Sequence, residues 1–256
     1  MEVHHHSHTP GKKWTHYFWE FLMLFLAVFC GFLAEYQLEH KIEKNREKQF
    51  MLSMIDDLKA DTNAIAALNR QRIVRLQMYD SLSKAIKEKT FSEKGADFYY
   101  WGRNISRRVF FFSADGTMQQ LKNSGGLRLI SDRNIADKII AYDVLYRSIG
   151  IQQQLEDVEL NEYRIIARKI FDAAIFYEMK RSSTRMVGNN PNLNSILEKP
   201  PGNPQLKDSS PASLNELGNT LNYWAVGSLR HFDLLEVLKK RAVELIDLIR
   251  NEYHLK

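Results

Sequence analysis

Apolar residues run without a charge from Phe21 to Ala34, and aromatic residues flank this run on both sides. The stretch from Tyr17 to Tyr36 contains 20 residues. As an α-helix it is roughly 30 Å long, which is enough to cross the hydrocarbon core of a bilayer. The pattern therefore predicts one transmembrane helix over residues 14–36.

The two ends of this segment are predicted to lie at the membrane interface, where Trp and Tyr rings prefer the headgroup level. Glu20 and Glu35 fall about one helical turn inside the ends, so each carboxylate can reach headgroups or water. The alternative is that one of them contacts a partner helix, because acids buried in membranes are costly and usually functional. The predicted membrane-interface residues are Trp14, Tyr17, Trp19, Glu20, Glu35 and Tyr36.

The anchor is predicted to remain on the mature protein. Phe32 stands where a signal-peptidase site needs a small residue, and Phe29 stands where a lipoprotein signal needs one before Cys30. Lys12 and Lys13 precede the span, and short tails weigh more in the charge rule than long domains. We therefore expect the N-tail in the cytoplasm and the large domain in the periplasm. Basic residues after the span favour the opposite orientation, so the distribution of Lys and Arg distinguishes poorly between the two orientations.

Helical periodicity continues beyond the span. No proline or glycine interrupts residues 35–94, so the anchor is predicted to continue as one helix to about Lys87. Further helices are predicted over about 97–112, 118–124, 133–179 and 213–253, with Thr117 and Ser213 opening capping boxes. Apolar seams with alternating steps of three and four residues run over 51–86, 135–177 and 214–249, which is typical of helices in a bundle.

The chain thus divides into five parts. Residues 1–13 are a flexible His-rich N-tail, 14–36 the anchor and 37–187 the first part of a helical bundle. Residues 188–212 contain five prolines and are predicted to be a linker that crosses between helix ends. Residues 213–256 form a long C-terminal helix that completes the bundle. The predicted fold is all-α, a single transmembrane helix continuing into an elongated antiparallel helical bundle.

Each long helix interrupts its apolar seam with polar residues near its middle. Antiparallel packing with aligned ends would bring these residues to the same height in the bundle. We therefore predict a mid-bundle polar layer in which Arg72 pairs with Glu156 and His231 bonds to the remaining carboxylate oxygen of Glu156. Such a layer can fix helix register, or it can form a ligand or pH-responsive site because His titrates near neutrality. Its predicted members are Asn69, Arg72, Gln153, Glu156, Ser228 and His231.

Composition and motifs exclude several kinds of function. The chain has 36 basic and 31 acidic residues with a formal charge of +5, and no basic block is interleaved with aromatics, so we expect no nucleic-acid partner. No nucleophile elbow, zinc-binding His-Glu-x-x-His helix or phosphate loop is present. Asp57 and Asp61 share a helix face but are expected to be solvated. We therefore predict no catalytic, cofactor-binding or metal site and interpret the N-terminal histidines as a solvated tail.

Two segments resemble a widespread bacterial family of uncharacterised single-span membrane proteins, a domain of unknown function. They are REKQFMLSMIDDLKADT after the span, and MQQLKNSGGLRLISDRNIADKIIAYDVL, where the matching residues are Leu121, Ser124, Gly125, Leu127, Ile130 and Tyr142. The resemblance covers about residues 17–146. It implies an inner-membrane anchor with a helical extramembrane domain and no known active site. The His-rich start and the linker depart from the shorter members.

We expect a scaffold or accessory subunit that acts through contacts with the lipid bilayer and with other membrane or envelope proteins, including possible copies of itself. The alternative is a sensor-like extracytoplasmic bundle that binds a small ligand. An internal pocket with convergent polar groups would favour the sensor. An exposed apolar stripe would favour the scaffold.

Overall fold

The computed structural model describes residues 14–179 and 197–255. The predicted His-rich tail over 1–13 and residues 188–196 of the predicted linker lie outside the described residues. The described residues are all-helical, without a strand. They form six α-helices: α1 Trp14–Lys87, α2 Gly95–Ile105, α3 Gly116–Asn123, α4 Arg133–Ile170, α5 Ala173–Glu178 and α6 Pro211–Glu252. A short 3₁₀ turn, Thr90–Ser92, lies between α1 and α2, and a second, Gly126–Leu129, lies between α3 and α4.

Helix α1 has 74 residues, roughly 110 Å, and it ends at Lys87 as predicted. Its N-terminal part is long and apolar enough to cross a membrane, and none of that apolar window is buried within the protein. The remaining part of α1 packs against the other helices from Glu47 onward. The apolar run is therefore not the core helix of a globular domain.

Three long helices meet along their lengths, and α6 contacts both α1 and α4. The Asn69 amide of α1 donates to Glu236 of α6 at 2.7 Å, whereas Tyr79 further along α1 donates to Asn222. Increasing numbers on α1 thus meet decreasing numbers on α6, so the two helices run in opposite directions. Gln152 of α4 meets Gly227 and Arg241 meets Ala141, so α6 also runs opposite to α4.

Two apolar clusters fill the space between these helices. The first contains Met51 and Ile65 of α1 together with Leu238 of α6. The second contains Leu82 of α1 and Trp224 of α6. The predicted α6 seam is confirmed, because every one of its positions is buried: Leu214, Leu217, Leu221, Trp224, Ser228, His231, Leu235, Leu238, Ala242, Leu245 and Ile249.

The prediction that the third long helix reaches Met179 is wrong, because α4 ends at Ile170. Phe171 adopts an extended backbone and Asp172 caps the separate helix α5. The Phe171 ring lies 5.1 Å from that of Tyr99 and 5.2 Å from that of Phe176, centroid to centroid. A Cβ on Gly102 would lie 2.4 Å from the Phe171 ring, so glycine permits this packing. Aromatic burial against α2 therefore outweighs continuation of α4.

The second predicted helix also ends early. Helix α2 stops at Ile105 rather than near Phe112, and an irregular segment leads to α3. Along this segment Phe111 is buried while Phe110 and Phe112 are exposed. The Gln153 side chain explains why the chain is not helical at Phe111. It accepts from the Phe111 N–H and donates to the Phe111 carbonyl, and these bonds replace helical hydrogen bonds.

Both predicted capping boxes are misplaced. Helix α3 begins at Gly116, and the Thr117 N–H donates to Asp57 of α1. Helix α6 begins at Pro211 with Ser210 as its cap, three residues before Ser213. A proline at the first helical position explains this earlier start.

The described part of the linker packs against α2. Asn203 accepts from the Gly95 N–H at 2.7 Å and donates to the Ser92 carbonyl at 2.8 Å. A Cβ on Gly95 would lie 2.0 Å from the Pro204 carbonyl oxygen, so only glycine allows this approach.

Candidate functional site

A buried polar layer separates the two apolar clusters and joins all three long helices. Arg72 lies on α1, Glu156 on α4, and Ser228 and His231 on α6, one turn apart. All four are buried, and Arg72 is 1% exposed. The structure thus brings four of the six predicted residues into direct contact.

Arg72 is the hub of this layer. Its Nη1 atom lies 2.7 and 2.9 Å from the two carboxylate oxygens of Glu156, and it donates to Ser228 Oγ at 2.7 Å. The same nitrogen approaches both oxygens, so the pair is not the parallel two-nitrogen fork that arginine often forms. The second nitrogen, Nη2, lies 2.9 Å from His231 Nδ1.

Glu156 is held as a carboxylate. Burial alone would raise its pKa, but the hydrogen bond with His231 and the charges of Arg72 and Arg75 outweigh burial and lower the pKa to about 2. A buried charge of this kind is tolerated because several donors surround it.

The environment of His231 favours its neutral form. Burial lowers its pKa, and the positive charge of Arg72 acts in the same direction against the hydrogen bond with Glu156. Its Nδ1 atom is 2.7 Å from Glu156 and 2.9 Å from Arg72, but one nitrogen can serve only one of them. The shorter of the two contacts is with Glu156, which only accepts, so we assign the proton to Nδ1. The buried Nε2 atom then has a free lone pair, without a partner among the described residues.

The sequence prediction missed Arg75, the second buried guanidinium of the layer. It lies one turn after Arg72, and its Nη2 is 3.8 Å from Glu156. Its guanidinium carbon lies 5.5 Å from the centre of the Trp224 ring, a cation–π contact. Burial, and then the charge of Arg72, lower the Arg75 pKa to about 10. The available signal was its spacing of three from Arg72, which places both side chains on neighbouring faces of α1.

Two predicted members lie outside the layer. Asn69 is buried but donates to Glu236 of α6. Gln153 faces the segment after α2, where it bonds to the backbone of Phe111. The neighbouring Gln152 instead points to α6 and donates to the Gly227 carbonyl at 3.3 Å.

The expectation that Asp57 and Asp61 are solvated is wrong for Asp61, which is buried. Asp61 accepts from Ser113 Oγ, from the Ala114 N–H and from the Tyr142 hydroxyl. Asp57 accepts from the backbone of α3. These carboxylates therefore fix the segment before α3 onto α1. Burial, and then the Asp61 charge, raise the Tyr142 pKa, so its hydroxyl remains a donor.

The predicted membrane-interface residues all lie on exposed positions of α1: Trp14, Tyr17, Trp19, Glu20, Glu35 and Tyr36. His16 lies 3.2 Å from Glu20, one turn away. The charged and aromatic side chains at the two ends of the apolar run therefore point away from the protein.

The polar layer offers little to a substrate. His231 and Ser228 are fully buried, and the cavities beside Glu156 and Arg75 measure about 10 and 20 Å³. A cavity of that size holds about one water molecule. Among residues 14–179 and 197–255, no group of three His, Cys, Asp or Glu side chains could hold a metal ion. What the layer can do is fix the register of three helices, since a slip of one turn would leave buried charges unpaired.

Comparisons with family models, with curated proteins and with solved structures found no match for this chain.

Proposed function

We propose that this protein is a membrane-anchored helical scaffold or accessory subunit that associates with copies of itself and with other envelope proteins. In this proposal residues 14–36 span the bacterial inner membrane once, and the elongated antiparallel bundle stands in the periplasm. Membership of the single-span family of unknown function is part of the same proposal, supported by the segments quoted above.

The anchor is supported by the exposure of the N-terminal apolar run. Side chains such as Phe21, Leu24 and Phe32 are more than half exposed. Leaving such side chains in water costs roughly 1.5–3 kcal/mol each. A bilayer removes this cost, and the continuous helix from Trp14 to Lys87 then sets the bundle rigidly on the membrane.

The observation that carries the scaffold proposal is a second apolar seam on α4. Val144, Ile151, Val158 and Ile165 follow one another at intervals of seven residues, and they are 51%, 62%, 57% and 47% exposed. They lie away from the buried face formed by residues such as Ile149. This exposed seam, Val144–Ile151–Val158–Ile165, is roughly 32 Å long.

A coiled coil requires apolar residues at two positions of each seven-residue repeat, and the exposed seam fills one of these positions in every repeat. A second copy fits because two copies anchored in one membrane stand side by side and parallel, so each seam residue meets its own equivalent. Leu155 adds an apolar contact, whereas Ser148 and Glu162 weaken the seam. A seam of this length is weak in solution, but tethering in one membrane raises the effective concentration of the partner.

The ligand-binding sensor has less support. The polar groups of the layer converge on cavities of about 10 and 20 Å³, which are too small for an organic ligand. The exposed seam on α4 is the feature that distinguishes the scaffold from the sensor, and it favours the scaffold.

Disulfide cross-linking in native membranes tests this proposal. In a Cys30→Ala background, Ile151→Cys and Val158→Cys are expected to give a cross-linked dimer on mild oxidation, because equivalent residues of a parallel pair lie face to face. Lys240→Cys on the exposed side of α6 is the matched control and should remain monomeric. Equal cross-linking at all three positions, or at none, would contradict pairing through the exposed seam.

A further inference from the structure

A basic patch of exposed and half-buried arginines lies where the end of α2 meets α4. Its members are Arg103, Arg107, Arg108, Arg164 and Arg168. Arg108 and Arg164 share one acceptor, the side-chain oxygen of Asn161, at 3.1 and 2.8 Å. Arg103 and Arg164 both donate to Ser106, at 3.4 Å to its hydroxyl and at 3.1 Å to its carbonyl. These shared acceptors hold the guanidinium groups together on one surface.

In the described part of the chain, this patch carries more positive charge than the carboxylate paired with it. Arg108 forms an ion pair with Asp157. Arg103 and Arg164 instead donate to the neutral oxygens named above, and Arg168 donates to the Arg164 carbonyl at 3.1 Å. Burial, and then the charge of Arg108, lower the Arg164 pKa. Arginine stays protonated at neutral pH, so these like charges repel one another and attract a further carboxylate.

Two exposed phenylalanines continue the basic patch along the segment after α2. Side chains of this segment alternate in exposure, since Arg108, Phe110 and Phe112 are exposed whereas Phe111 is buried. Phe112 is 77% exposed, and its ring centroid lies 6.1 Å from that of Phe110. Arg108 and Phe110 border one cleft against α4. Arginine and aromatic side chains are both enriched at protein–protein interfaces, so the surface combines the two residue types that a protein partner uses.

The position of the patch along the bundle argues against the anchoring membrane as its partner. Arg75 of α1 donates to the Arg107 carbonyl, so the patch stands at the height of Arg75. The part of α1 between Tyr36 and Arg75 is roughly 58 Å long. This length is many times the Debye length of about 8 Å at physiological ionic strength. Anionic headgroups of the membrane that holds the anchor are therefore too far away to neutralise the patch.

Two nearer sources of negative charge do not fit the patch. Residues 180–196, which lie outside the described residues, contain Lys180, Arg181 and Arg185 and no Asp or Glu. A parallel second copy would place its own patch beside the first, because equivalent residues meet in such a pair, and the arginines would repel one another. An acidic segment of a different protein fits both the charge and the exposed rings.

We propose that this patch docks an acidic segment of a partner envelope protein, in which carboxylate side chains alternate with apolar ones. The carboxylates pair with Arg103, Arg164 and Arg168, and the apolar side chains cover Phe110 and Phe112. This docking rests on the proposed function, since it gives the accessory subunit its class of partner.

Fluorescence anisotropy with the full-length protein in phosphatidylcholine nanodiscs tests the docking. The probe is a fluorescein-labelled peptide of alternating glutamate and leucine, and the matched probe has glutamine in place of glutamate. We expect saturable binding of the acidic peptide that weakens as sodium chloride is raised, because salt screens exposed charges. The glutamine peptide should bind about tenfold more weakly, and empty nanodiscs should bind neither. Equal binding of the two peptides, or tighter binding of polyphosphate or of a single-stranded oligonucleotide, would overturn the proposal.

Variants locate the peptide on the chain. Arg103→Gln combined with Arg168→Gln removes two exposed charges and should weaken binding about fivefold, and Phe112→Ser should weaken it as well. Lys138→Gln combined with Arg230→Gln removes the same charge at exposed positions outside the patch and should leave the affinity unchanged. Wild-type affinity in the patch variants would overturn the proposal. Cross-linking through the exposed seam is a separate measurement: cross-links without peptide binding would contradict only the docking, and peptide binding without cross-links would contradict only the pairing of copies.

Discussion

Replacing Glu156 by alanine is expected to destabilise the protein by about 3–5 kcal/mol, the cost typical of removing one partner from a buried ion pair. The change leaves Arg72 and Arg75 buried without their carboxylate, and His231 without its acceptor. Chemical unfolding in mild detergent, followed by circular dichroism, measures the effect.

Two further variants test whether charge is the cause. Asp137→Ala removes an exposed acid from the same helix and should change stability by no more than about 0.5 kcal/mol. The triple variant Arg72→Met, Arg75→Met, Glu156→Leu replaces the charges with apolar groups and should recover most of the loss, because apolar replacements of buried ion pairs are often neutral. A triple variant as unstable as Glu156→Ala would contradict the electrostatic explanation.

Acidification is expected to destabilise the protein in two steps, both through the polar layer. His231 has a pKa below its ordinary value of 6.5, so below about pH 6.5 the unfolded chain binds a proton that the folded protein does not, and stability falls. Glu156 has a pKa lowered from 4.5 to about 2. Its contribution is complete above about pH 4.5 and is lost as the pH falls toward 2, roughly 3 kcal/mol in all.

Unfolding measured from pH 8 to pH 4 tests the first step. His231→Asn retains a donor for Glu156 but cannot titrate, so its stability should depend less on pH between 6.5 and 5 than that of the wild type. His40→Asn, at an exposed position of α1, should leave the profile unchanged. Identical profiles for the wild type and His231→Asn would show that His231 does not change its protonation on folding.

The parts of the fold that follow from local periodicity could be predicted from the sequence. The α6 seam is buried at every predicted position, and α1 runs unbroken to Lys87. The α4 stop could not be predicted, because Phe171 leaves the helix for aromatic partners distant in sequence. The seven-residue spacing of the exposed seam is visible in the sequence. The buried seam of α4 overlaps it along the same residues, so the exposed seam was not predicted.

The candidate site was predicted in part for a related reason. Arg72, Glu156 and His231 interrupt the seams at matching heights, so their contact could be anticipated. On a straight helix, residues spaced by seven drift around the helix axis by about 20° per heptad. At the height of the polar layer, the buried face of α1 therefore includes Arg75, which lies outside the predicted seam. Burial of Asp61 could not be anticipated, because two of its donors lie in an irregular segment.

The claim on which the proposed function depends is that the N-terminal apolar helix lies in lipid, and Cys30 allows a direct measurement. It is the one cysteine of the chain and occupies an exposed position of α1 within the apolar run. Maleimides react with thiolates that water can reach. We expect Cys30 to stay unlabelled in intact membranes and to react fully after denaturation, while Ser53→Cys, on exposed α1 beyond the span, reacts in both states. Rapid labelling of Cys30 in intact membranes, at the rate of Ser53→Cys, would contradict the anchor and the scaffold built on it.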